Sequence, residues 1–323
     1  MSSRIDNNKI ILFGLSNQVS LAKLVAKSLK IDLTEIEKTV FADKEILVRS
    51  SKTVRNKKVY IICSINSHDA LMELLLFVDS LKRASASSIM VISTYLGYSR
   101  QDRKASQREP IGAKLIARLL EISGVNKLIT FDLHNPSIQG FYDIPVDDLR
   151  WVYPLTHSLI KEEKKMKFTI VSPDHGGAVR ARKFAELITK DIDIAIVDKR
   201  RTGPNKSEIV GLLGDVKNKN CIIIDDIIDT GGTIVKAAEY LKKIGAKQIY
   251  LAATHGLFSK GFEIFDESNA IDKVLISDSI PNVDRINSKK IEIISLQKMI
   301  SAAIDIDFNS KSMSDLYSFK KLN

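Results

Sequence analysis

Short runs of β-branched residues alternate with amphipathic stretches along the chain. KIILF (9–13) is followed by VSLAKLVAKSLK (19–30), VYIICSI (59–65) by DALMELLLFVDSLKR (69–83), and IMVISTY (89–95) by PIGAKLIARLLEISG (110–124). This rhythm predicts strand, helix, strand, helix. In the third helix Ile111, Leu115, Leu119 and Ile122 fall at helical spacing and predict its apolar face; Pro110 suits the first turn and Gly124 the C-terminal cap. The strand runs are apolar on both faces, so the sheet is expected to be largely parallel and covered by helices.

After LITFDL (128–133) a stretch rich in Pro, Gly, Asn and Asp, HNPSIQGFYDIPVDDLRWVYP, marks a boundary. The rhythm then restarts with FTIVSPD (168–174), IAIVDKR (194–200), CIIIDD (221–226), QIYLAATHG (248–256) and KVLISDSI (273–280). The fold class is therefore α/β, with two domains, 1–149 and 150–323, each a largely parallel sheet flanked by helices. A duplication would explain the doubled rhythm, although no sequence repeat is legible. In such sheets ligands gather at the carboxyl ends of the strands. The polar residues there are Asp132 and His134, Asp174, Lys199 and Arg201, and Asp225 with Asp226.

Composition narrows the function classes. At 323 residues the chain exceeds the size at which one core stops growing, and 44% hydrophobic with 27% charged residues is ordinary for a soluble globular protein. The N-terminus MSSRIDNNKI lacks the apolar stretch of a signal peptide, and LMELLLFV (71–78) is too short to span a bilayer, so neither secretion nor a membrane is expected. Cys63 and Cys221 sit in strand-like apolar runs, as buried thiols of a reducing cytoplasm do. The formal charge of +10 is spread among acids, as in KEEKKMK (161–167), which favours small phosphorylated ligands over nucleic acid once motifs are weighed.

The decisive motif is CIIIDDIIDTGGT (221–233). A strand ends near Asp225, TIVKAAEYLKKIGA forms the next helix, and Thr230, Gly231, Gly232 and Thr233 make the turn between them. A helix N-terminus behind Gly-Gly offers free N–H groups and about half a positive charge to a phosphate. A Walker-type loop is excluded, because it needs a Lys against the phosphates where this chain has aspartates. Asp225 and Asp226 suit vicinal sugar hydroxyls instead, through charge-assisted hydrogen bonds. Asp229, taken alone, reads equally well as a capping residue.

IIIDDIIDTGGT resembles the phosphoribosyl diphosphate (PRPP) loop of the phosphoribosyltransferase fold. FADKE (41–45), YSRQDRK (98–104), DLHNPSIQGFYDIPVD (132–147), VSPDHGGAVRAR (171–182) and DKRRTGPN (198–205) are similar, in order, to the motifs of the ribose-phosphate diphosphokinase, or PRPP synthetase, family. The resemblance covers nearly the whole chain. It implies two phosphoribosyltransferase-like domains, with the ATP side and regulatory surface in the first, the ribose 5-phosphate and catalytic loops in the second, and a tail packing back on the first.

It also implies roles. A diphosphoryl group moves from MgATP to the 1-hydroxyl of ribose 5-phosphate, with Lys199 and Arg201 neutralising charge from a mobile loop. Arg201, Asp225, Asp226, Asp229, Thr230, Gly231, Gly232 and Thr233 hold ribose 5-phosphate. Phe41 stacks on adenine, with Asp43, Lys44, Glu45, Arg100 and Gln101 completing the ATP pocket. His134 and Asp174 match the Mg²⁺ positions, and the family assembles as hexamers. His68, His157, His175 and His255 read as packed loop histidines. Ser106-Gln107 departs from the regulated members' basic residue and Ser, Gly112 from a common Thr, and Gly231 from Ala or Cys. The competing readings are a non-catalytic synthetase-associated subunit and a PRPP-consuming phosphoribosyltransferase.

Overall fold

The computed structural model describes residues 8–163, 168–188, 192–203, 206–281 and 285–316, with backbone alone at 160–163, 200–203, 206–207 and 315. The chain divides into two compact units. The first runs to Arg150 and takes back Ser279–Pro281 and the chain from Leu296 onward; the second comprises Trp151–Asp278 and a return segment ending at Ser295.

The first unit contains β1 (Ile10–Gly14), α1 (Val19–Leu29), β2 (Leu33–Thr34), β3 (Ile36–Val40), β4 (Ile46–Ser50), β5 (Lys58–Ile65), α2 (His68–Arg83), β6 (Ser88–Leu96), α3 (Gly112–Ser123), β7 (Lys127–Phe131) and β8 (Val146–Leu149). Six strands form one sheet in the order β2-β1-β5-β6-β7-β8, every pair parallel, while β3 and β4 make a separate antiparallel ribbon. The long apolar runs are the central strands: β5 and β6 are buried at every position after the first. Such two-sided burial requires a parallel sheet with helices on its faces.

The third helix corrects the sequence reading. Ile111 caps it, Leu115 is 55% exposed and Ile122 76% exposed, whereas Ala113, Ile116, Ala117 and Leu120 face the core. This helix is apolar on two sides, and its buried side carries the small residues that let it lie close to the sheet. Pro110 precedes the cap, and Gly124 closes the helix at φ 120°.

The second unit contains α4 (Val152–Glu163), β9 (Phe168–Ser172), α5 (Ala178–Ile188), β10 (Ile194–Gly203), β11 (Lys206–Leu213), β12 (Asn220–Ile228), α6 (Gly232–Lys243), β13 (Ile249–Gly256), α7 (Glu263–Glu267), β14 (Lys273–Ile276) and β15 (Ile291–Ile293). Its sheet order is β11-β10-β9-β12-β13-β14-β15, parallel except for β10 with β11. The two units share one topology. In each, the first strand sends its successor to one side (β1 to β2, β9 to β10), and an antiparallel ribbon follows. The next strand (β5 or β12) then lies against the first and its successors extend the other way. The duplication that the sequence rhythm hinted at is visible in this strand order.

The last helix, α8 (Gln297–Phe308), belongs to the first unit and packs against α1. Asp307 fastens it: Tyr60 Oη donates to Asp307 Oδ2 at 2.9 Å, and Lys127 Nζ reaches Asp307 Oδ1 at 3.2 Å. Both cysteines are buried, and burial pushes the Cys221 thiol up to about 12, so neither serves as a thiolate nucleophile. Among the described residues no helix is long and apolar enough to cross a membrane.

Candidate active site

In an open parallel sheet the binding crevice lies where strand order reverses. In the second unit that point is between β9 and β12, and the sequence candidates converge there. Asp174 follows β9, Asp225 and Asp226 stand in the last part of β12, and the Asp229–Thr233 turn leads into α6. The first unit has the same switch point, between β1 and β5, but different chemistry. There Ser67 caps α2, accepting from Ala70 N, and Asp69 puts a carboxylate in the first turn. A second acid, the buried Glu73, accepts from the backbone N–H and hydroxyl of Ser16 and pairs with Lys38. Side chains of the protein itself thus fill the place of a ligand.

The start of α6 is the opposite case. Gly231 occupies its cap at φ 78°, no side chain caps the helix, and the first turn carries no acid. The first helical bond runs from Val235 N to Gly231 O at 3.0 Å, so the preceding N–H groups have no intrahelical acceptor. A Cβ added at Gly232 would meet nothing within 4 Å, which leaves the cradle open there. Thr230 and Thr233 are exposed at its rim, and Asp229 is fixed by the hydroxyl of Ser259 at 2.5 Å.

Gly231 is held by a different constraint. A Cβ there would come within 2.6 Å of the buried Phe265 ring, and its φ lies in the left-handed region. Gly231→Ala is expected to destabilise the protein by about 1–3 kcal/mol. Urea unfolding midpoints check this; a midpoint equal to that of the parent protein would show that the loop accepts Ala.

Asp225 and Asp226 are bridged by Arg180, whose Nη1 lies 2.8 Å from Asp225 Oδ1 and 3.0 Å from Asp226 Oδ1. Burial, and next the neighbouring Asp226, push the Asp225 carboxyl up to about 7, with the Arg180 guanidinium opposing them. Reasoning from sequence gave Arg180 no role; it sits inside VSPDHGGAVRAR, and nothing local to that stretch reveals its partners.

Lys199 stands in β10 where that strand leaves the sheet. β10 pairs with β9 only through Ile196, and a β-bulge between Asp198 and Lys199 marks the start of its two-stranded arm with β11. Bulges re-aim side chains. Among the described residues Lys199 Nζ is buried without a hydrogen-bond partner. Burial holds its pKa below the ordinary lysine value, with the Asp174 and Asp225 charges pulling the other way. At Lys199 and the backbone of Arg201 the expected mobile loop is this ribbon; the Arg201 side chain, Pro204 and Asn205 lie outside the described residues.

The other candidates lie in the first unit. FADKE is the hairpin turn between β3 and β4, closed by Phe41 N to Glu45 O at 2.8 Å, with Lys44 at φ 72° and Asp43 Oδ1 accepting from Glu45 N. Phe41 is 48% exposed at the tip. Arg100 and Gln101 are exposed in the loop after β6, and the absence of a side chain at Gly112 leaves room for the Gln101 amide. The Asn135 amide donates to Asp102 at 2.7 Å, so the loop with Arg100 and Gln101 is tied to the one with His134. Asp132 is no ligand candidate: it is buried at φ 43° and ion-paired with Arg150. His134 is exposed in the first unit and Asp174 in the second. Among the described residues no three His, Cys, Asp or Glu side chains cluster as a metal cage.

The packed-histidine reading holds for His255, which is buried, and not for the others. His68 bonds Tyr98 Oη, His157 is exposed, and His175 is exposed and pairs with Asp198 at 3.0 Å.

Residues 10–124 match the family of the N-terminal domain of ribose phosphate pyrophosphokinase, and residues 199–318 match the phosphoribosyl synthetase-associated domain. A ribose-phosphate pyrophosphokinase of Mycoplasmopsis pulmonis is 52% identical over 318 residues, which cover 97% of this chain and 98% of that protein. This chain belongs to the ribose-phosphate pyrophosphokinase family. A second member, from Mycoplasma genitalium, is 43% identical over 98% of this chain and 97% of its own. The crystal structure of phosphoribosylpyrophosphate synthetase from Mycobacterium smegmatis superposes with a TM-score of 0.87 at 33% identity, covering 94% of this chain and 99% of that one. The pyrophosphokinase domain match takes in FADKE and YSRQDRK, and the synthetase-associated match takes in Lys199 and the 225–233 loop.

Proposed function

We propose that this chain performs the reaction of its family, moving the diphosphoryl group of ATP to the 1-hydroxyl of ribose 5-phosphate to give PRPP and AMP for nucleotide biosynthesis. The observation that carries the reading is Lys199: a buried ammonium with no hydrogen-bond partner among the described residues, facing two carboxylates at the switch point beside an open helix N-terminus. Such a cation lacks a partner until a phosphorylated ligand supplies one.

In this reading the Thr230–Thr233 turn takes the 5-phosphate, and Asp225 and Asp226 accept from the sugar hydroxyls, with Asp229 and Arg201 completing the site. The 1-oxygen attacks the β-phosphorus of ATP and AMP leaves. Lys199 and Arg201 neutralise the charge on the transferring oxygens, so catalysis is mainly positioning and electrostatics. Phe41 stacks on adenine, Asp43 and Glu45 accept from its amino group, and Lys44, Arg100 and Gln101 contact the nucleotide.

Mg²⁺ fits the donors present. It binds through one or two carboxylates with substrate phosphates and water, and does not need a protein cage. Asp174 offers an exposed carboxylate, and His134 acts through water or as a phosphate donor. The ion held by Asp174 and substrate phosphates would supply positive charge against those phosphates.

The exposed Val40, Phe41 and Leu47 on the ribbon, with Leu115 and Ile122 on α3, support assembly of copies into a homo-oligomer, a hexamer by family pattern. The protein works in the cytoplasm, with neither nucleic acid nor membrane as partner. The test is direct: protein, MgATP and ribose 5-phosphate together yield AMP and PRPP in equal amounts. AMP at the rate of a protein-free control sinks the proposal; if ribose 5-phosphate still binds, the chain is a non-catalytic associated subunit.

A further inference from the structure

We infer that Arg180 is a positioning residue for the acceptor sugar, bridging Asp225 and Asp226 so that two adjacent carboxylates act together on the sugar hydroxyls. The inference rests on the reading of residues 225–233 as the ribose 5-phosphate site.

Successive residues of a strand project to opposite faces, so neighbouring aspartates do not ordinarily share a target. In β12 the two side chains differ accordingly: Asp225 is 29% exposed and Asp226 only 5%. Yet both present an Oδ1 to the same guanidinium nitrogen, at 2.8 and 3.0 Å, and Asp225 Oδ1 also accepts the backbone N–H of Asp226 at 2.9 Å. Carboxylates this close repel, and the usual result is that one keeps its proton. A protonated Asp225 would lose part of its capacity to accept from a hydroxyl. Arg180 is the cation that opposes this, in line with the direction in which it moves Asp225.

Its own placement is built in. Arg180 lies in the first turn of α5, reached by the turn after Asp174, where Gly177 N donates to Asp174 Oδ1 at 3.0 Å. A Cβ at Gly177 would lie 2.7 Å from Ser172 Oγ, so the turn is tight and delivers α5 to β12 at a fixed point. A lysine at 180 would keep the charge but would replace the planar guanidinium, whose Nη1 reaches both carboxylates, with an ammonium on a more flexible stem.

Steady-state kinetics of Arg180→Met, Arg180→Lys and Asp225→Asn, with thermal melts of each, test this. Arg180→Met should raise KM for ribose 5-phosphate by about 30-fold, while KM for MgATP stays within about twofold and kcat within about threefold. Arg180→Lys should recover only part of the loss. A well-folded Arg180→Met with unchanged KM for ribose 5-phosphate, or with both KM values raised together, overturns the inference. If Arg180→Met does not fold, Arg180→Lys decides in the same way. An unchanged KM in Asp225→Asn would instead remove the sugar-site reading on which the inference depends.

Discussion

Lys199→Met is expected to lower kcat by about 100- to 1,000-fold and to leave ribose 5-phosphate binding within about threefold of the parent protein. In the proposed role the ammonium would meet charge that develops as the diphosphoryl group transfers, so its loss would be felt in the transition state more than in the bound sugar phosphate. Methionine keeps the apolar stem and removes only the charge. The same substitution should raise the melting temperature of the free protein by a few degrees, roughly the effect of removing one unsatisfied buried polar group. The sign follows from the lowered pKa of Lys199. The unfolded chain binds that proton more readily, so the buried ammonium costs stability at neutral pH, and the cost fades as pH rises toward the ordinary lysine range. The gain from Lys199→Met should therefore be present at neutral pH and vanish in strong alkali. A variant with full turnover would place the catalytic charge elsewhere, and a lower melting temperature at neutral pH would mean that Lys199 is satisfied after all.

Gly232→Asp is expected to raise KM for ribose 5-phosphate by about 100-fold or more, because two charges about 4 Å apart repel by roughly 4 kcal/mol at a surface-like dielectric. Position 232 is suited to the test because a Cβ there meets nothing within 4 Å, so the first atom of the new side chain has open space. The new carboxylate would sit on the N–H groups that the phosphate uses and would copy what Asp69 does at the start of α2. Gly232→Ala serves as the steric control, with KM near that of the parent. Isothermal titration with ribose 5-phosphate and urea unfolding of both variants separate repulsion from misfolding. Equal binding by Gly232→Asp and the parent would move the 5-phosphate off this turn.

Much of the site was legible because its signals are local. The TGGT turn, the strand before it and the helix after it lie within one short stretch, and glycine at a helix start has one physical use there. FADKE, too, is a local feature, a hairpin turn closed within its own five residues. The features not legible depend on pairing with distant chain. β3, β4 and β11 carry polar and charged residues between their apolar ones, and the apolar run that marks β10 says nothing of its ribbon with β11. The Lys199 bulge exists only in register with β11. Arg180 meets Asp225 across 45 positions of sequence, and neither segment carries a mark of the other.

For this protein the sequence by itself determined the alternating strand and helix rhythm, the α/β class and the Gly-Gly turn that opens α6, because periodicity and turn chemistry act over a few residues. Only the tertiary structure decided which face of α3 is buried, since that helix is apolar on two sides and the sheet accepts the smaller one. It also decided which of two topologically equal units keeps an open site. The first carries Ser67, Asp69 and Glu73 at its switch point; the second has an acid-free helix start and a lysine that, among the described residues, has no hydrogen-bond partner. That difference resides in charges brought together by folding, which no single stretch of the chain contains.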